Sequence, residues 1–308
     1  MLAKNIIEIL NLPEWYVDEN NATTMINFWP IISEFAKIFH PNDICEIGSE
    51  RGLTSQRLAE LLPDADIHVV DPFIAADVKA MKNTRAYEET SEKFLKRKLP
   101  INFYLIDGDH NYETVSMEIA LASENAAQGP FCAMFHDIGW PFARRDGYYN
   151  PKLVKTPHPH QFDSYLSLED DLLRYGRHGF ETQKVFALAN NSGGEHNGVL
   201  TAIEDFIETK NQDWRLLKVP MFFGLGLVWD ETHMSQDSIN RIRELEKTVE
   251  FMRPMMAAAE ANRLRLIQSL AIAEIRHAEA EASLNHLRRI PLPFPRKWMK
   301  RALQLIQR

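Results

Sequence analysis

Four short apolar runs, each closed by glycine, acid or histidine and each separated from the next by a stretch of helical spacing, govern what the first half of this chain can fold into. They are Asn42–Ile47 (NDICEI), Ile67–Val70 (IHVV), Ile101–Ile106 (INFYLI) and Phe131–Phe135 (FCAMF). Runs of four to six residues bounded by turn residues read as strands, and the segments between them, 53–62, about 77–98 and 113–127, read as helices. Strands that alternate with helices pair in parallel, because a parallel pair needs a crossover of a dozen or more residues. The pattern predicts an α/β fold: a doubly wound, mostly parallel sheet with helices on both faces.

Around that body the chain divides further. Residues 1–40 read as a helical segment punctuated by Pro13 and Pro30. The sheet domain spans 41–237 and contains an aromatic, loop-rich insertion at about 140–198, of a length usual for a lid. A helix follows over 197–210, and two closing strands, 216–219 and 222–229, read as an antiparallel hairpin around Pro220. From Ser238 to about 290 a long helix carries a 3.5-residue seam that includes Ile242, Leu245, Val249, Met252, Met256, Leu266, Leu270, Leu284 and Leu287. That period fits a coiled coil, and so a homo-oligomer assembled through residues 240–287. A helical hairpin folded back on the body is the alternative, and Pro254 is expected to kink the helix.

Charge separates the parts. The net charge is −8, yet residues 240–308 hold 14 Lys and Arg against 7 Asp and Glu, so residues 1–239 carry −15. An acidic body repels phosphates, which argues against a nucleic-acid partner. Residues 291–308 form a basic tail with Trp298, Leu303 and Ile306 on one side of a helical wheel, suited to a peripheral site on the inner membrane face or to an acidic protein partner. Two cysteines in apolar strands, no apolar run of about 20 residues and no leader-like start give the expectation of a cytoplasmic protein.

Every polar cluster falls at the C-terminal end of a predicted strand, where open α/β sheets form their ligand crevice. Glu46-Ile-Gly48-Ser49-Glu-Arg-Gly52 is a strand, a glycine turn and a helix start, which brings backbone N–H groups close to a ligand. Its G-x-x-x-G spacing lacks the closer glycine pair that a dinucleotide pyrophosphate needs, so NAD and FAD are disfavoured. Asp71, after the second strand, is placed to accept hydrogen bonds from ribose hydroxyls.

At these residues the sequence resembles the class I S-adenosylmethionine (SAM)-dependent methyltransferases. Glu46, Gly48, Ser49 and Gly52 match their first motif, and Asp71 matches their acid after the second strand. Asp107-Gly-Asp-His110 with Tyr112, followed by His136-Asp137, resembles a narrower group of metal-dependent O-methyltransferases acting on sugars and natural products, with cephalosporin-hydroxylase-like relatives. The resemblance covers about residues 40–230. It implies SAM as cofactor, Asp107 and Asp137 as ligands of a divalent metal such as Mg²⁺ or Mn²⁺, and His110 as the general base. Where an acid often stands, this chain has His136, either a further ligand that moves the preference toward Mn²⁺, Fe²⁺ or Zn²⁺, or a residue that only orients Asp137.

The expected function is a metal-assisted O-methyltransferase acting on a saccharide or a glycosylated small molecule. A hydroxylase-like or hydrolytic enzyme on the same fold and a non-catalytic membrane-associated scaffold are the alternatives. Arg144, Arg145 and Tyr148 are candidates for clamping an acidic or phosphorylated acceptor, with structural arginines in a solvated lid as the competing reading.

Overall fold

The computed structural model describes residues 24–49, 51–126, 129–150 and 187–289, with short strand segments at 162–163, 166–169, 172–175 and 180–181 and single positions at 9, 12, 13 and 15. The basic tail at 291–308 and most of residues 1–23 lie outside the described residues.

A 3-10 turn, Met25–Phe28, leads into α1 (Trp29–Phe39), whose Pro30 sits in the first turn, where a missing N–H costs nothing. Then come β1 (Asp43–Ile47), α2 (Leu53–Leu61) and β2 (Asp66–Val70). The stretch expected to be one charged helix is instead a short helix, a strand and a second short helix: α3 (Ala76–Lys79), β3 (Thr84–Tyr87) and α4 (Ser91–Leu95). The strand escapes notice because it is the sheet edge: Arg85 and Ala86 are exposed, so no apolar alternation marks it. Next are β4 (Phe103–Ile106), α5 (Tyr112–Asn125) and β5 (Cys132–His136).

The described residues of the insertion include short strands that the sequence did not announce. They are β6 (Gly147–Tyr148), β7 (Phe162–Asp163), β8 (Leu166–Glu169), β9 (Leu172–Tyr175), β10 (Phe180–Glu181) and β11 (Ala187–Ala189), which pair antiparallel into two three-stranded sheets. The chain closes with α6 (Val199–Glu208), β12 (Trp214–Val219), β13 (Leu225–Asp230) and α7 (Gln236–Arg289).

The main sheet has the order β12-β13-β5-β4-β1-β2-β3. β1 pairs parallel with β2 and β4, and β4 with β5, while β13 runs antiparallel between β5 and β12. The doubly wound, mostly parallel sheet expected from the sequence is thus the sheet observed, and the expected closing hairpin is β12–β13. The chain leaves β1 toward β2 and β3, then returns to the other side of β1 as β4, so the topological switch point lies between β1 and β4.

Each sheet face has its own core. Ile44, Phe103, Leu105, Cys132 and Met134 pack against α1, α2 and the start of α7; Cys45, Tyr104, Ile106, Ala133 and Phe135 pack against α4, α5 and α6. Each fully buried side chain of the size of Phe35 or Ile32 contributes roughly 1.5–3 kcal/mol. Glu46 and His136 occupy positions where strict alternation calls for an apolar residue on the first face, at the C-terminal ends of β1 and β5. A buried polar residue in such a register is the informative departure.

α7 divides in two. Ile242 and Val249 are buried in the first core, with Leu245 and Met256 packed against it, and Arg241 donates to Glu34 of α1. The front of the proposed coiled-coil seam therefore covers the body. Farther along, Leu266, Leu270 and Leu287 are exposed. The helix is continuous through Pro254, which lies on its exposed side.

Candidate active site

After β1 the chain turns at Gly48 with φ 81°. A Cβ there would lie 2.1 Å from the Asp107 carbonyl oxygen and 2.7 Å from the Gly108 nitrogen. Gly48 N–H donates to Val70 O and Asp107 N–H donates to Ile47 O, each at 2.9 Å. The glycine is thus required by the close approach of the turns after β1 and β4, at the switch point itself. Ser49 is buried beside it, and its Oγ finds no hydrogen-bond partner among the described residues, a site that a polar ligand atom would satisfy. Gly52 starts α2 with φ 68°, and the space of its missing Cβ is taken by Val78.

Glu46 is buried and accepts a hydrogen bond from Ser55 of α2. Burial, opposed by that bond and reinforced by the charge of Asp107, pushes its carboxyl up to about 7. Asp71 follows β2, remains partly open to solvent, and accepts from Phe73 N–H at 2.8 Å.

At the ends of β4 and β5, Asp107, His136 and Asp137 each offer a ligand atom, and these atoms lie within 4.8 Å of one another. His136 Nδ1 is 3.1 Å from Asp107 Oδ1 and 3.2 Å from Asp137 Oδ2. Its Nε2 lies 2.9 Å from the carbonyl oxygen of Phe222, an acceptor only, so Nε2 carries the proton and donates. Nδ1 faces the carboxylates. Burial alone would lower this imidazole; the charges of Asp107 and Asp137 outweigh it and hold His136 well above the ordinary histidine range. Asp137 is buried, which alone would raise it, but His136 and His110 hold it well below the usual carboxylate range. Its backbone sits at φ 59°, a left-handed conformation uncommon for a residue with a Cβ.

These residues fit a divalent ion. A histidine that donates one ring N–H to a backbone carbonyl and turns the other nitrogen toward two carboxylates has the usual outer support of a metal ligand. Proton and ion compete for Nδ1, so the imidazolium describes the metal-free site.

His110 is buried, and its Nε2 is 2.6 Å from Asp137 Oδ2. Burial lowers it, and the charge of Asp137, the hydrogen bond to it, then Asp107 and Asp109 raise it further, leaving it above the ordinary value. The N-cap of α5 is Asn111, which accepts from Thr114 N–H, while Asp109 caps the His110 N–H. His110 is thereby left to face Asp137 rather than to end a helix. Its ring lies 4.6 Å from Phe142 and 5.7 Å from Tyr149, centroid to centroid. Tyr149 is 52% exposed. Desolvation, then the carboxylates of Asp107, Asp137, Asp109 and Asp71, raise its hydroxyl above the ordinary tyrosine value. Tyr149 therefore lies within electrostatic reach of Asp107, Asp137, Asp109 and Asp71. In the sequence it stands with Tyr148 beside the two arginines of the candidate acceptor clamp.

The expected acceptor clamp is engaged within the fold instead. Arg144 donates to Thr201 and Glu204 of α6. Arg145 is buried and donates to the carbonyl of Ala189. Tyr148 is buried, with its hydroxyl 2.7 Å from Asp146. Asp146 is the centre of this network: its Oδ1 accepts from Tyr112 N–H at 2.8 Å and from Gly198 N–H at 2.6 Å. One buried carboxylate thus holds the N-termini of α5 and α6, where a negative charge also meets the favourable ends of two helix dipoles. Gly147 N–H donates to His110 O at 2.9 Å, which ties the network to the site.

No protein-family model and no curated protein matches the chain. Among solved structures it is similar to the S-adenosylhomocysteine-bound methyltransferase PaMTH1 of Podospora anserina, with 15% identity, covering 68% of this chain and 80% of that one, TM-score 0.40. It is similar to the O-methyltransferase TomG of Streptomyces achromogenes, involved in tomaymycin synthesis and bound to SAM, with 11% identity, 74% and 87% coverage and TM-score 0.39. A Bacillus cereus O-methyltransferase bound to S-adenosylhomocysteine has 10% identity, 74% and 88% coverage and TM-score 0.40. Likenesses of this size say nothing about chemistry.

Proposed function

We propose that this chain is a SAM-dependent O-methyltransferase with a divalent ion at Asp107, His136 and Asp137, and that its acceptor is a saccharide or glycosylated small molecule. The observation that carries the reading is the backbone contact of Gly48 with Asp107 and Gly108. It puts the turn suited to a nucleoside cofactor directly against the acid-histidine cluster suited to a hydroxyl acceptor. Glu46, Ser49 and Asp71 would receive the cofactor, Asp71 at its ribose.

When bound, SAM supplies an electrophilic methyl group on sulfur, and the ion lowers the proton affinity of the acceptor hydroxyl. Transfer of that methyl group to a hydroxyl would leave S-adenosylhomocysteine and a methyl ether, and the hydroxyl proton would need an acceptor on the protein. Asp137 holds His110 Nε2–H, which fixes the tautomer and leaves Nδ1 as the basic atom. Tyr149, half exposed and 5.7 Å from that imidazole, would line the acceptor's approach. The mixed carboxylate and imidazole set favours Mn²⁺ or Fe²⁺ over Mg²⁺. Copies of the chain would meet along residues 266–287, where the seam leucines Leu266, Leu270 and Leu287 are exposed.

Calorimetry with S-adenosylhomocysteine, followed by mass analysis of candidate glycans incubated with methyl-labelled SAM, tests the reading. Binding and a labelled glycan are expected. No binding of S-adenosylhomocysteine would end the methyltransferase assignment, and full turnover after exhaustive chelation would remove the ion from it.

A further inference from the structure

The turn between β12 and β13 has three successive residues with positive φ: Phe222 at 48°, Phe223 at 66° and Gly224 at 90°. Two of them carry a Cβ, and such a run does not persist unless its surroundings hold it. One side of the turn faces α7. Phe222 N–H donates to Glu260 Oε2 at 3.0 Å, and Phe223 N–H to Glu260 Oε1 at 2.9 Å. Consecutive N–H groups converging on one anion form an anion-binding concavity, here filled by a side chain from a helix far away in sequence. Glu260 is 8% exposed, in a helix whose surroundings are mostly open. Arg263, one turn on, donates two hydrogen bonds of 2.7 Å to it, and its guanidinium lies 4.4 Å from the centre of the Phe223 ring.

The other side of the turn faces the site. Phe222 O accepts from His136 Nε2, and Phe223 O accepts from Gly139 N–H at 2.5 Å. The two carbonyls thus bracket Asp137, itself in a left-handed conformation.

We infer that Glu260 and Arg263 of the C-terminal helix are positioning residues for the metal cluster, acting through the Phe222–Phe223 turn on the tautomer and orientation of His136. This rests on the proposed reading in one respect, that Asp107, His136 and Asp137 hold an ion. The part of α7 that carries Glu260 and Arg263 then belongs to the site.

The test uses the full chain and two readouts. One is Mn²⁺ affinity by calorimetry; the other is the His136 Nε2–H resonance in the metal-free protein, which its bond to Phe222 O should protect from exchange. Glu260→Ala is expected to lose that resonance and to bind Mn²⁺ 10- to 100-fold more weakly, the usual effect of removing outer support from a ligand. S-adenosylhomocysteine affinity should stay within about twofold in this variant. Arg263→Ala, which leaves the carboxylate in place, should give a smaller loss of both signals and serves if Glu260→Ala fails to fold. Glu250→Ala, which removes an exposed ion pair of the same helix, should change neither. A Glu260→Ala protein that keeps the protected resonance overturns the inference, whatever its metal affinity. Wild-type protein that binds no Mn²⁺, with the resonance lost in Glu260→Ala, would keep the clamp and overturn the metal reading instead.

Discussion

Glu118 offers a sharp test of the electrostatics behind the site. It lies on α5 with 1% of its surface exposed, and its Oε1 is 3.8 Å from where a Cβ on Gly108 would sit, so it backs the loop that carries His110. Desolvation, opposed by a hydrogen bond from Ser91 and reinforced by Asp109, pushes its carboxyl from 4.5 up to about 8. Below pH 4.5 the folded and unfolded states both hold the proton. Between there and pH 8 the unfolded chain releases it and the folded protein keeps it, so stability falls as pH rises, by up to about 1.4 kcal/mol per pH unit. Over the whole interval the ceiling is about 5 kcal/mol; with local relaxation and water entry, ~2 kcal/mol is expected. Glu118→Gln keeps the shape and does not titrate. Urea unfolding of both proteins at pH 5, 6, 7 and 8, with chelator present, measures the gap between them. The gap should grow in favour of the variant by ~2 kcal/mol from pH 5 to pH 8. Any fixed cost of the amide cancels in that comparison. A gap that stays flat across the range refutes a neutral Glu118 at pH 7.

Two further outcomes follow from packing. Gly48→Ala forces a Cβ into the Asp107 backbone at a positive φ, and should destabilise the chain by about 2 kcal/mol or more in urea unfolding while abolishing S-adenosylhomocysteine binding. Leu266→Glu with Leu270→Glu, both exposed, should leave unfolding unchanged within about 0.5 kcal/mol and convert an oligomer to a monomer in sedimentation velocity; an unchanged sedimentation coefficient would remove residues 266–287 as the contact.

The parts of the fold that were legible in the sequence are those whose burial is one-sided or complete. β1, β2, β4 and β5 read as apolar runs because both their faces are covered, and the acids and histidines that close them mark the crevice for the same topological reason. β3 did not, because an edge strand with exposed Arg85 and Ala86 carries no period-two signal. The insertion read as loop because its strands are two to four residues long, too short to show alternation. Asp107, His110, His136 and Asp137 were legible as a group, since each ends or follows a strand. The engagement of Arg144 with Glu204 was not, since it joins residues 60 apart along the chain.

The least legible feature is also the one that links the two halves of the molecule. A heptad pattern records that one side of a helix is apolar, but not what covers it. In α7 the same seam first meets the sheet, through Ile242 and Val249, and then emerges into solvent at Leu266 and Leu270. Glu260 stands near that boundary, and at a surface position a single glutamate in a charged helix would carry no information. Its burial has a physical cause in the turn it serves: three consecutive positive φ angles direct two N–H groups away from the sheet and two carbonyls toward His136 and Gly139. Leaving those N–H groups buried and without an acceptor would cost about 1–3 kcal/mol each. Glutamine would set an NH2 donor against one of the two N–H groups, whereas a carboxylate offers each its own oxygen and still binds Arg263. The geometry of the turn therefore selects glutamate at position 260, and with it ties the C-terminal helix to the orientation of His136.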